Sequence, residues 1–338
     1  MKLYGGIDLH SNNCVFSIKD EAGVVIARRK LPNDLNQIFL FLKPFEKQLT
    51  GLVVESTFNW YWLVDALNDA NYQVHLANTT AIQQYSGLKY SDDKSDADWL
   101  AEMLRLGILP EGYIYPKEDR AVRDLMRKRM QLVQQATLNL LSIQGLYMRH
   151  LSYKMSNNKI KQLTPAAIEK HFPLPNTAQA TICNLTVMKC LKAQIKLLEK
   201  IVLAQVQLTP DFQELITIDG IGNILALTIM LETGDIHRFN KVGNYASYCR
   251  CVSGARYSNG KKKGKTNSKN GNKYLAWAFV EAANFAIRYN KTVKSYYQRK
   301  LAKTNKTVAI KTVAHKLARA CFYVLRDKVP FDAEKAFC

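Results

Sequence analysis

Two apolar runs close on an acid, Gly6-Ile7-Asp8 and Val53-Val54-Glu55, and this pattern constrains the first third of the chain more than any other. Short apolar runs bounded by turn residues read as buried strands. An acid that ends such a strand is costly to bury alone, so Asp8 and Glu55 need a compensating partner. Around them, residues 3–7, 14–19 and 24–31 read as consecutive strands. Residues 33–42 have helical spacing, with Asn33 as the expected cap and Pro44 as the stop. Residues 51–55 read as a short buried strand, 60–70 as a helix, 72–76 as a strand and 91–106 as a helix. The order β-β-β-α-β-α-β-α belongs to α/β folds in general, the RNase H-like fold among them.

The helix over 91–106 opens on Asp92, Asp93, Asp96 and Asp98. A spacing of three puts Asp93 and Asp96 on one helix face. Two strand acids and two helix acids can converge on divalent cations, and hard oxygen ligands suit Mg²⁺ or Mn²⁺. Spacing leaves Asp92 and Asp98 as competitors. His10 and His75 read as structural.

Beyond Pro116, positions Val122, Leu125, Arg129, Leu132, Ala136, Leu140, Ile143 and Tyr147 recur at helical spacing, and a second such stretch covers 185–206. Separated by a Pro/Asn-rich stretch over 152–181, these predict either an antiparallel hairpin or an intermolecular coiled coil. Ile218-Asp219-Gly220-Ile221-Gly222 then resembles a helix-hairpin-helix turn, which aims backbone N–H groups at a phosphate. A loop, Ser258-Asn259-Gly260-Lys261-Lys262-Lys263-Gly264-Lys265, follows, with helices over 273–289 and 307–327 after it.

The net charge is +20 over 338 residues. From Arg256 to Lys328 there are 19 basic residues and two acids, Glu281 and Asp327. That distribution is the footprint of a polyanion binder. Arg256, Lys261, Lys262, Lys263, Lys265, Lys269 and Lys273 are the expected phosphate contacts, with Gly220 and Gly222 at the hairpin. Of the aromatics interleaved with this charge, Trp277 and Phe279 read as core. The seven cysteines are scattered and read as reduced thiols. With no signal-peptide pattern and no apolar run long enough for a bilayer, a cytoplasmic, nucleoid-associated protein is expected. An actin-like kinase would need a second Gly-rich phosphate loop, which the segment after Val53 lacks.

Taken together, Gly6-Ile7-Asp8, Val54-Glu55-Ser56-Thr57 and Asp93-Lys94-Ser95-Asp96-Ala97 with Leu100-Ala101 resemble the DEDD transposases of bacterial insertion sequences, family one-ten. That group includes the Piv invertases and bridge-RNA-guided recombinases. The register Asp-x-x-Asp-Ala-x-x-Leu-Ala favours Asp93 over Asp92. Arg238-Phe239, Tyr245-Ala246-Ser247-Tyr248 and Lys269-Asn270-Gly271-Asn272-Lys273-Tyr274-Leu275 resemble the family's C-terminal domain. The resemblance implies an RNase H-like (RuvC-like) domain over 1–116, a helical, coiled-coil connector over 117–208 and a mainly helical transposase domain over 209–330.

It further implies a Mg²⁺- or Mn²⁺-dependent enzyme whose metals are held by Asp8, Glu55, Asp93 and Asp96. Ser258 would be the nucleophile, with Ser253 and Ser268 as alternatives of poorer fit. The expected activity is cutting and rejoining DNA without ATP, guided by a structured RNA of the element, in a dimer or tetramer whose sites are shared between subunits. The alternative is an RNase H-like nuclease or junction resolvase that hydrolyses, using the acids and no serine.

Overall fold

The computed structural model describes residues 1–82, 93–206, 209–252, 254–265 and 270–337, with the side chains of Asp93, Lys94, Arg256, Tyr257, Lys262 and Lys265 outside the description. Asp92, Ser253, Ser268 and Lys269 therefore lie outside the described residues. The chain divides into two compact units, Met1–Lys117 and Glu118–Cys338.

In the first unit, strands β1 (Leu3–Leu9), β2 (Asn13–Lys19), β3 (Val25–Pro32), β4 (Leu49–Glu55), β5 (Val74–Ala77) and β6 (Glu111–Gly112) form one mixed sheet. Its order is β3-β2-β1-β4-β5-β6. The first three strands are antiparallel neighbours, β1, β4 and β5 run parallel, and β6 closes the edge antiparallel. Helices α1 (Leu35–Leu42), α2 (Tyr61–Asp69) and α3 (Asp93–Arg105) fall where the sequence placed them, so the order read from the sequence holds through α3, and β6 is an addition to it.

Alternation along the strands sorts their side chains between the two faces. Ile7, Leu9, Phe16, Leu52 and Val54 share a core with Ile38 and Leu42 of α1 and Leu63, Val64 and Leu67 of α2. Val53 and Ala77 instead pack with Leu100 and Met103 of α3. One expectation at α1 is corrected. Its cap is Asp34, whose carboxylate accepts from the Asn36 N–H at 2.8 Å, while the Asn33 side chain donates to the His10 carbonyl at 3.1 Å.

Among its described residues, the second unit has helices and one strand hairpin as its regular elements. Helix α4 (Lys117–Leu151) and helix α7 (Pro175–Val206) are its longest elements. They lie antiparallel, since Arg129 pairs with Glu199 at 2.7 Å and Asn184 donates to Ser142 at 3.0 Å. The one charged position in the apolar spacing of α4 is thus the one that reaches across to α7. The stretch over 152–181 is itself partly helical, with α5 (Asn157–Gln162) and α6 (Pro165–His171) packed on this pair. Although α7 buries Leu185, Met188, Val202 and Val206, it also carries a second row outward. That row is Cys183, Val187, Cys190, Gln194, Leu197 and Ile201, all exposed. Its spacing of four, three, four, three and four is that of a heptad seam.

The rest of the unit shares one core with α9 (Asn223–Thr233), which is buried along most of its length. Around it stand α8 (Pro210–Ile216), α10 (Val242–Tyr248), α11 (Lys273–Tyr289), α12 (Lys291–Leu301), α13 (Lys306–Asp327) and α14 (Ala333–Phe337). α12 and α14 are additions to the sequence reading. The segment expected as a loop, 258–265, is another correction. β7 (Ala255–Ser258) and β8 (Lys261–Lys265) pair antiparallel, with Asn259 at φ 49° and Gly260 at φ 70° between them. Asn-Gly with both residues at positive φ is the two-residue turn that matches strand twist. No helix among the described residues is long and apolar enough to cross a membrane.

Candidate active site

The acids of the first unit are brought together by the sheet register. Ile7 of β1 is the partner of Val54 on β4, which puts the next residues, Asp8 and Glu55, side by side at the strand ends. Both point to the face covered by α3, because Val53, two residues before Glu55, packs there. Asp8 is 3% exposed, and its Oδ2 lies 3.1 Å from His10 Nε2 without hydrogen-bond alignment. Burial raises the Glu55 carboxyl, and a hydrogen bond with Asp8 and repulsion from Asp8 and Asp96 add to it, so that its pKa rises to about 8. Asp96 of α3 is therefore close enough to be felt by Glu55. Burial, then the charge of Asp8, likewise pushes the Cys14 thiol up to about 12, which keeps it protonated and inert.

Close approach of α3 depends on Gly6. A Cβ at this position would stand 2.1 Å from the Ala97 carbonyl oxygen and 2.6 Å from the Ala101 nitrogen. These are helix backbone atoms, so they cannot rotate aside. Gly6→Ala is expected to push α3 off the sheet and destabilise the protein by about 1–3 kcal/mol. Urea unfolding of the metal-free protein measures this; an unchanged midpoint and slope would refute the tight contact.

Two neighbouring acids are engaged elsewhere. Asp98 forms a bidentate pair with Arg28 of β3. Glu102 receives Arg105 and Lys19, and these hydrogen bonds lower its pKa to about 2. Asp93 is the first residue of α3, one turn from Asp96. Among the described residues, no group of three or more His, Cys, Asp or Glu side chains stands ready to hold a metal ion; the Asp93 side chain is not among them. The chemistry of the donor set nevertheless fits a divalent cation. Asp8 Oδ2 is buried without a hydrogen bond, and the charges of Asp8 and Asp96 oppose ionisation of Glu55.

In the second unit, Ser258 ends β7 beside the Asn259-Gly260 turn, exposed and paired in register with Lys261. Lys261 and Lys263 are exposed on β8, while the side chains of Arg256, Lys262 and Lys265 lie outside the description. Lys273 opens α11, with its Nζ 5.2 Å from the Tyr274 ring. The turn between α8 and α9 treats its glycines differently. Gly220, at φ 92°, would drive a Cβ to 2.4 Å from the Ala282 carbonyl oxygen of α11, so packing within the protein explains its bare Cα. Gly222 caps α9 and faces open space. Beside this turn, a groove of about 580 Å³ is walled by the exposed Phe285 and Tyr289, whose rings stack 6.5 Å apart.

The reading of the sequence missed one buried cluster. Glu232, 2% exposed on α9, receives Arg127 of α4 at 2.6 and 2.7 Å and Asn272 at 2.7 Å. An acid immediately after the largely apolar run Leu225–Leu231 was the available signal.

Two family models match separate parts of the chain. Residues 5–147 match a transposase model of the DEDD type from IS110 elements, and residues 212–298 match the transposase IS116/IS110/IS902 family. The chain belongs to the IS110 family of transposases. A curated relative, a probable family 20 transposase of Pseudomonas aeruginosa, is 24% identical over 235 residues, covering 68% of each chain. As an IS110-family transposase, the protein is an enzyme that cuts and rejoins DNA, and DNA is its partner. The first matched span includes Asp8, Glu55, Asp93 and Asp96, and the second includes Gly220, Gly222, Ser258 and the basic hairpin.

Proposed function

We propose that this transposase exchanges DNA strands through Ser258, assisted by Mg²⁺ or Mn²⁺ held by Asp8, Glu55, Asp93 and Asp96. The observation that carries the reading is the strand register that sets Asp8 and Glu55 side by side on the face covered by α3. There, burial and then the neighbouring Asp8 and Asp96 oppose ionisation of Glu55, an arrangement that a bound cation relieves. When bound, divalent metal supplies charge neutralisation at the scissile phosphate and lowers the pKa of an attacking hydroxyl. The RNase H-like architecture implied by the family is consistent with the mixed sheet and with two strand acids beside one helix.

Ser258 is a weak nucleophile until its proton is removed. Lys261, its cross-strand partner, and Lys263 hold phosphate beside it. Attack by the Ser258 hydroxyl forms one phosphoester bond as the DNA strand loses another, and a DNA hydroxyl departs. Return attack by a DNA hydroxyl reverses the exchange, so the bond is conserved and no ATP is consumed. Arg256, Lys262, Lys265, Lys269 and Lys273 extend the phosphate track. Gly222 leaves the α9 N-terminus open to a phosphate in helix-hairpin-helix fashion, and the Phe285–Tyr289 wall offers bases a stacking surface.

The apolar seam on α7 supports a coiled-coil connector, residues 117–208, that joins subunits. In that assembly Ser258 of the 209–330 domain serves the acids of the 1–116 domain of another subunit. A structured RNA of the element then supplies target choice, in keeping with a net charge of +20.

Covalent trapping tests the chemistry. Protein incubated with Mg²⁺, element-junction DNA and flanking RNA is expected to yield a denaturant-stable protein–DNA adduct, absent in Ser258→Ala and in Asp8→Ala. Cleaved ends with no adduct, undiminished in Ser258→Ala, would establish hydrolysis instead.

A further inference from the structure

The hairpin that carries Ser258 is a two-stranded ribbon, and such a ribbon has little stability of its own. Its aim is set at its roots. On the C-terminal side, the first fixed points among the described residues after β8 are Gly271 and Asn272. Gly271, at φ 91°, would put a Cβ 2.5 Å from the Tyr248 carbonyl oxygen, its own carbonyl accepts from Arg250 Nε at 2.9 Å, and Asn272 N–H donates to Tyr248 O at 2.6 Å. Tyr248 and Arg250, at the end of α10 and before β7, are thus fastened to Gly271 and Asn272, which follow β8. Asn272 also caps α11, its Oδ1 accepting from the N–H groups of Tyr274 and Leu275 at 2.8 and 3.1 Å. Its Nδ2 donates to Glu232 Oε2, and the two oxygens of Glu232 take the guanidinium of Arg127. Arg127 in turn lies 4.8 Å from the centre of the Tyr274 ring, the second residue of α11.

We infer that Arg127, Glu232 and Asn272 form a positioning relay that fixes the root of the Ser258 hairpin to α4. The inference rests on the reading of Ser258 as the nucleophile. Each member has one geometry available. The bidentate pair fixes the Glu232 carboxylate plane. That carboxylate orients the Asn272 amide, and with both its donor and acceptor ends engaged the amide has no alternative orientation. A buried acid that merely held helices together would need only Arg127; here it also reaches Asn272, the cap of α11 and, after β8, the residue bonded back to Tyr248. Glu232 and Arg127 touch no reacting atom in this scheme and act through Asn272.

The test compares the full-length protein with Glu232→Gln and with Arg129→Met, which removes a different ion pair of α4, that with Glu199. Amide hydrogen exchange over 255–265 is expected to quicken about tenfold or more in Glu232→Gln, with α9 and α13 unchanged and no such effect in Arg129→Met. The rate of adduct formation at saturating DNA is expected to fall about 100-fold in Glu232→Gln, with DNA affinity within about threefold of wild type. Arg127→Lys, which keeps the charge and loses the fork, should fall between. Exchange that rises evenly across the helices, or a hairpin and adduct rate unchanged in the folded variant, would overturn the relay. Should Glu232→Gln not fold, Arg127→Lys decides by the same two readouts. A wild-type protein that forms no serine adduct, yet whose hairpin loosens in Glu232→Gln, would sink the nucleophile reading and leave the anchoring intact.

Discussion

Mixing two inactive proteins, Ser258→Ala and Asp8→Ala, is expected to restore the protein–DNA adduct. Alone, each should lose at least about 1000-fold of the rate, because in the proposed mechanism one lacks the attacking oxygen and the other a buried carboxylate that would hold metal. In a mixed assembly whose sites are shared between subunits, one of the pairings joins an intact serine to an intact set of acids. Adduct should then form, and only on the Asp8→Ala chains. A size difference between the two chains reads this directly on a denaturing gel. If the mixture stays as inactive as its components while both variants bind DNA and assemble, each site is built within one chain. The α7 seam makes the mixing experiment reasonable: Val187 and Leu197 are 48% and 50% exposed at heptad positions, where an apolar side chain in water gains from a partner helix.

Glu55 gives the second large effect. In metal-free protein its pKa rises from 4.5 to about 8 on folding. The folded state therefore binds the proton more tightly than the unfolded chain. Stability from this group is complete below about pH 4.5 and is lost as pH climbs through about 8. A shift of this size corresponds to an upper bound of about 5 kcal/mol. Solvent screening at a group that is only partly buried brings the expected loss to about 1–3 kcal/mol. Chemical unfolding in EDTA at pH 5.5 and pH 8.5 should show that loss in wild type and a flatter profile in Glu55→Gln. Adding Mn²⁺ at pH 8.5 should stabilise wild type and leave Glu55→Gln much less affected. Equal pH profiles for the two proteins would show that the acids do not press on one another.

The first unit was legible because its signals are local. Asp8 and Glu55 end apolar strands, and an apolar strand announces both its burial and its alternation. The sequence could not distinguish Asp96 from Asp98 as well, since each stands on the same short helix. Arg28, seventy residues earlier on β3, engages Asp98, and only the fold brings the two together. The basic segment was misread for a different reason. Its lysines drew attention as charge, while Asn259-Gly260, a strong hairpin signal, went unused. Glu232 was missed although the logic applied to Asp8 fits it equally, because its partners Arg127 and Asn272 lie far away along the chain. Gly220 is the opposite case: a glycine noticed for an approach to DNA is also required bare by the close approach of α11, which the sequence does not announce.

Gly6 has a wider consequence. Most dimensions of a catalytic pocket drift as side chains are exchanged, because each exchange alters a length or a charge. The gap between β1 and α3 is set by main chain against main chain, at the one residue that has nothing to exchange. Sequence change can recolour the outer surface of α3 and retune every charge along it. It has no gradual way to widen the space between the helix and the sheet, so the span across which these acids face one another is inherited whole or lost.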